Sequence, residues 1–154
     1  MSLALILAST STFRRELLMR LQIDFRQDSP ETDETPHANE SAEQLCQRLA
    51  IAKAHALNEK YSQHLIIGSD QVATFNGKII GKPITHVNAV QQLTDFSGHT
   101  VAFYTGLCLL NTVTGVFQHH VECFKVHFRV LSTEQIERYL QAEHPYQCAG
   151  SFKS

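Results

Sequence analysis

Several charged residues in this chain have types and spacings suited to chemistry on a polyanion. Arg14 and Arg15 sit side by side in LILASTSTFRREL, residues 5–17. The apolar run Leu3–Ala8 reads as a buried strand, and the hydroxyl cluster Ser9–Thr12 as a turn ending in a helix N-cap. A first helical turn presents unpaired N–H groups and the positive end of the helix dipole, so each cation there is disfavoured by about 0.3–1 kcal/mol. Either the pair points into solvent with its aliphatic stems over the core edge, or it joins the backbone donors of the turn in an anion site.

Glu31, Asp33 and Glu34 lie between Pro30 and Pro36. The prolines push the segment away from helix, leaving either an acidic surface loop or three carboxylates able to converge on a hard cation such as Mg²⁺ or Mn²⁺. Lys53 continues the stripe Cys46, Leu49, Ala50 and Leu57. It snorkels to the core edge or is aimed into a cleft at phosphate. Asp70 follows the apolar strand Leu65–Gly68, at the strand end where open α/β sheets present functional side chains. An unpartnered buried carboxylate is costly, so Asp70 is hydrogen-bonded, metal-bound or poised as a base. Lys82 stands in a Gly-Lys-Pro turn, where flexible Gly81 and rigid Pro83 allow close approach to a ligand or simply make a turn.

Other chemistries are poorly supported. There is no G-x-x-x-x-G-K-[ST] phosphate loop, no H-E-x-x-H metal motif among the 9 histidines and no G-x-S-x-G elbow. A net charge of −2 gives no global field to attract nucleic acid. Cys46, Cys108, Cys123 and Cys148 form no C-x-x-C pair and read as reduced, buried thiols of a cytoplasmic protein. No stretch approaches the length of a membrane span.

The positioning elements follow from the pattern. With 154 residues, 43% hydrophobic, the chain suits one domain with a real core. A helix carries Leu17, Leu18 and Leu21; residues 26–40 read as a loop; Ser41-Ala-Glu-Gln44 is a capping box opening a long helix. Asn76-Gly77 is a hairpin turn before Lys78–Ile80. A helix over about 86–96 stops at Ser97-Gly98. Two long strands follow, near 99–110 and 116–130, the second placing Phe124, Val126, Phe128 and Val130 on one face. Ser132-Thr-Glu-Gln135 caps a last helix ending before His144-Pro145. Early strand–helix alternation with a late hairpin argues for α/β with a mixed sheet.

LASTSTFRREL, PETDET, RLAIAKA, IIGSDQV, GKP, SGH and HPYQCAGSF, in that order, resemble the Maf family of nucleotide pyrophosphatases, specifically its YceF-type branch. That resemblance implies a Maf/ITPase-like fold, a mixed central sheet flanked by helices with a deep cleft. It also implies a single domain over 1–154 whose C-terminal part continues beyond Ser154. It makes Asp70 the proton acceptor, Phe13 and Gln71 determinants of base choice, and Arg14, Arg15, Lys53 and Lys82 phosphate ligands. Glu31, Asp33 and Glu34, with Asp70, would support a divalent metal, Mg or Mn. The implied activity is hydrolysis of a nucleoside triphosphate, 7-methyl-GTP for this branch, in house-cleaning of modified nucleotides by a cytoplasmic homodimer.

The sibling branch, acting on dTTP and UTP, has arginine and threonine where this chain has Phe13 and Gln71. An aromatic face suits the positive 7-methylguanine ring by a cation–π attraction of about 0.5–2 kcal/mol. Phe13 stands where the branch often has tryptophan and should stack more weakly. A glutamate of the branch would fall just past Ser154. The alternatives are the sibling activity and a non-catalytic nucleotide-binding regulator of septum formation.

Overall fold

Capped helices and apolar strands alternate as the pattern implies. The computed structural model describes residues 2–153. Its order is β1 (Ala4–Ala8), α1 (Thr12–Met19), β2 (Phe25–Asp28), α2 (Ala42–Ala56), β3 (His64–Phe75), β4 (Lys78–Ile80), α3 (His86–Phe96), β5 (Thr100–Asn111), β6 (Phe117–His127) and α4 (Thr133–Glu143), then a 3-10 turn at Ala149–Ser151. Ser11, Ser41, Thr85 and Ser132 cap the four helices, and Ser41 and Ser132 form full capping boxes with Gln44 and Gln135. Each such cap contributes about 1 kcal/mol.

The sheet runs β2-β1-β3-β5-β6, with β4 also paired to β3. Leu5 of β1 lies opposite Phe25 and Leu65 in parallel register, whereas Ala73 opposes Ile80 in an antiparallel ladder. The fold is therefore α/β with a mixed sheet and flanking helices.

Three local expectations are corrected. Residues 26–28 are not loop but, with Phe25, form strand β2; FRQD has no strand-like alternation and is extended because β1 offers it a ladder partner from Leu5 to Ala8. Asp70 is not at a strand end, since β3 continues to Phe75 and the polar Ser69-Asp70-Gln71 lies within it. Strand β6 stops at His127 rather than near residue 130, and of the four thiols expected to be buried Cys123, on this strand, is exposed and Cys148 half-buried, because Cys123 lies on an outward-facing stretch of β6.

Two compact units emerge. One comprises the chain up to Asp70 plus Thr105–Glu122; the other comprises Gln71–Tyr104 plus the chain from Cys123 onward. The first has a helix-on-sheet core in which Ala50 and Ala54 of α2 meet Ile6, Ile66, Cys108 and Leu110. Glycines permit the approach: a Cβ on Gly68 would run into Ala50 O and lie 2.6 Å from Ala54 N, and one on Gly106 would lie 2.5 Å from Cys46 O. The second core is aromatic, built on Leu93, Phe96, Phe103, Ile136 and Leu140. Its ring contacts include Phe75–Phe96 at 5.2 Å and Phe103–Phe152 at 5.3 Å.

Candidate active site

Helix and strand periodicity bring the central pair together. Ala50, Lys53 and Ala54 share one face of α2 at i, i+3, i+4, while Ile66, Gly68 and Asp70 alternate onto one face of β3. Because Gly68 lets α2 settle directly on the strand, Lys53 Nζ reaches Asp70 Oδ1 at 2.8 Å. Both residues are buried, with 7% and 8% of their surface exposed. Burial pushes the Asp70 carboxyl above its usual range; the Lys53 ammonium opposes this most strongly, followed by the Arg14 charge, while Glu34 adds to the rise. A buried carboxyl whose proton affinity is raised in this way suits a proton acceptor.

Lys53 holds a second carboxylate, Glu34 Oε1 at 2.6 Å, from the acidic loop. Arg48, also on α2, anchors that loop through a forked bond to Glu40, Nε to Oε1 at 2.6 Å and Nη2 to Oε2 at 3.0 Å. Its Nη2 also donates to Thr35 O at 3.1 Å. The Arg48 guanidinium holds the Glu40 carboxyl down at about 2. Within the loop, Asp33 Oδ1 accepts the Thr35 N–H at 2.9 Å; the Thr35 side chain first, and then this N–H, hold the Asp33 carboxyl below its usual range, and Glu31 is exposed.

The arginine pair divides. Arg14 Nη1 donates to the buried Ser9 Oγ at 3.4 Å, and the Ser11 cap accepts the Arg14 N–H at 3.2 Å. Arg15 is exposed and Phe13 half-buried. The first unit thus brings Arg14, Glu34, Lys53 and Asp70 into one electrostatic group. Glu31 and Asp33 do not join it as ligands of a common point. In the second unit, Gln71 is half-buried in β3 and Lys82 is exposed on the turn between β4 and α3.

A divalent ion has partial support in this donor set. Among the described residues no three His, Cys, Asp or Glu side chains form a group that could hold a metal by themselves. Glu34 and Asp70, both on Lys53, are nevertheless the kind of donor pair Mg²⁺ takes when phosphate oxygens and water complete its shell.

Sequence reasoning missed Ser9, Arg48 and Glu40. Ser9 carried a signal, being the first hydroxyl after an apolar strand, but Arg48 and Glu40 meet only because the loop folds back along α2.

A buried lysine–carboxylate pair, a strand–turn–helix cation and an acidic loop on an α/β sheet are the arrangement a phosphate-ester or anhydride-processing enzyme needs. The chain matches the Maf-like protein family over residues 4–154 and belongs to it. It is 55% identical over 153 residues, 98% of this chain and 79% of the relative, to the 7-methyl-GTP pyrophosphatase of Pseudomonas savastanoi pv. phaseolicola (strain 1448A / Race 6).

Proposed function

We propose that this chain is a nucleoside-triphosphate pyrophosphatase that hydrolyses 7-methyl-GTP to 7-methyl-GMP and diphosphate. The observation that carries the chemistry is the buried Asp70 held at 2.8 Å from Lys53 Nζ; the base preference rests on the 7-methyl-GTP pyrophosphatase relative and on Phe13. In this reading Asp70 takes a proton from water as the water oxygen bonds to the α-phosphorus. The α–β anhydride bond breaks, and its electron pair leaves with diphosphate. Arg14, Arg15 and Lys53 offset the charge growing on the phosphates, the term that usually dominates such catalysis. Phe13 stacks on the cationic base. Gln71 and Lys82 carry the base-contacting and phosphate-binding roles that the family resemblance implies.

A bound Mg²⁺ or Mn²⁺, held by Glu34 and Asp70 with Glu31 and Asp33 in outer support, would polarise the phosphates as a Lewis acid. Among the described residues no helix is long and apolar enough to cross a membrane. We propose a cytoplasmic homodimer on the family resemblance and on the free thiols at Cys46, Cys108, Cys123 and Cys148.

Diphosphate release from 7-methyl-GTP, dTTP and UTP, each with Mg²⁺ or Mn²⁺, tests the reading. The expected order puts 7-methyl-GTP first; a preference for dTTP or UTP moves the chain to the sibling activity. Asp70→Asn should lower kcat about 10²–10⁴-fold with nucleotide binding still measurable. Full activity in that variant overturns the base assignment, and binding without turnover in the unaltered protein makes it a regulator.

A further inference from the structure

We propose that Gln92 is a positioning residue that sets where the Gly81–Pro83 turn presents Lys82; the inference rests on the phosphate-binding reading of Lys82 for its effect on catalysis. Asn88 and Gln92 stand at i, i+4 on α3, and both side-chain amides donate to carbonyls of this turn. Asn88 Nδ2 reaches Pro83 O at 3.1 Å and Gln92 Nε2 reaches Gly81 O at 3.1 Å. Gln92 alone continues the chain of bonds: its Oε1 accepts the hydroxyl of Ser151 at 2.5 Å. Ser151 is fully buried at 0% exposure, in the 3-10 turn near the end of the described chain. The Gly150 N–H also points to Gly81 O, at 3.4 Å.

Backbone strain marks both ends of this bridge. Ile84, a β-branched residue, has φ +66°, and Ser151 has φ +55°, a region that non-glycine residues occupy only when their surroundings over-determine it. The Ile84 side chain is 57% exposed, so burial does not impose its conformation. Hydrogen bonds hold the backbone around it: Ile84 N–H to Tyr146 O at 2.9 Å and Thr85 N–H to Pro83 O at 2.7 Å. Tyr146 is in turn fixed through its hydroxyl, 2.9 Å from His86 Nδ1. Lys82 is exposed, so its aim depends on the backbone beneath it. Gln92 is the side chain that ties that backbone to a buried anchor.

Gln92→Met removes both bonds at nearly constant shape, and Gln92→Glu keeps an acceptor for Ser151 while losing the donor to Gly81. Amide hydrogen exchange at Ile84, Thr85 and Gly150, whose N–H groups bond Tyr146 O, Pro83 O and Gly81 O, should speed up about three- to tenfold in both variants. Unchanged protection there overturns the proposal whatever the protein's substrate. With 7-methyl-GTP and Mg²⁺, both variants should raise KM about three- to tenfold with kcat within about twofold. Gln92→Met should add nothing in a Lys82→Ala background. An equal effect in both backgrounds overturns the route through Lys82. If Lys82→Ala itself leaves KM unchanged, the phosphate-binding reading of Lys82 fails and exchange alone decides whether Gln92 holds the turn.

Discussion

The two units of this chain are stabilised differently. The first packs small residues, Ala50, Ala54, Gly68 and Gly106, so that backbone lies on backbone, and then buries the charges of Lys53 and Asp70. The second fills its interior with Phe96, Phe103, Leu93 and Leu140 and ties its loops with neutral amide and hydroxyl bonds such as Gln92–Ser151. Buried charge adds little net stability but perturbs pKa values; aromatic packing does the reverse. The contrast separates a unit whose interior carries a charged pair from one whose interior is filled by apolar rings and chains.

Lys53→Met should break that contrast most severely. Leaving Asp70 and Glu34 without their shared cation costs about 3–5 kcal/mol, as for removal of one partner of a buried pair. The same change pushes the Asp70 carboxyl further up. The acid limb of kcat/KM should therefore move to higher pH, and urea denaturation should show stability recovering as pH falls and Asp70 takes up a proton. An unmoved limb would mean that Lys53 does not tune Asp70. Phe96→Ala should cost a similar 3–5 kcal/mol, roughly, by cavity formation in the aromatic core. Here the pH profile of the folded fraction should stay put, which sharpens the comparison.

Gly68→Ala should cost about 1–3 kcal/mol through overpacking, because its new Cβ would meet helix backbone rather than a yielding side chain. It should also lower activity by displacing Lys53 from Asp70, read as a fall in kcat without loss of cooperative unfolding. Ser132→Ala, removing a capping box of the second unit, should cost only about 1 kcal/mol in denaturation and leave activity intact.

Within the first unit the carboxylates themselves should respond to acid with opposite signs. Asp28 is held at about 2 by Lys60, Tyr61 and the Ser29 N–H, and Glu40 at about 2 by Arg48 and the His37 N–H. Their depressed values contribute stability that is complete above the ordinary 3.8 and 4.5 and is lost as pH falls toward 2. Asp70 has a raised value, so the folded state holds its proton more tightly and its burial becomes less costly as pH falls. Removing the Asp28 carboxylate itself, as Asp28→Asn, and the partner of Glu40, as Arg48→Ala, should flatten the acid limb of a stability–pH curve; Asp70→Asn should steepen the net fall toward acid.

Sequence alone determined the features that depend on short-range physics. Three helix starts were legible from the Ser9–Thr12 cluster and the capping boxes at Ser41 and Ser132, and α3 over His86–Phe96 falls where its pattern placed it, its Thr85 cap seen only in the structure. The apolar strand cores, the Asn76-Gly77 hairpin and the chemical identity of Arg14, Glu34, Lys53, Asp70 and Lys82 as residues worth watching were equally legible, because residue type and local period are written in order along the chain. Tertiary structure decided the rest. Strand β2 exists because β1 has a free edge, and Asp70 is mid-strand because neighbouring strands extend the ladder through polar residues. Lys53 meets Asp70 because Gly68 admits the helix backbone. The Arg48–Glu40 fork and the Gln92–Ser151 bond join residues whose partners are set by chain return, not by spacing. A hydrogen bond across such a return needs atoms within about 3 Å, a coincidence that no local sequence pattern encodes.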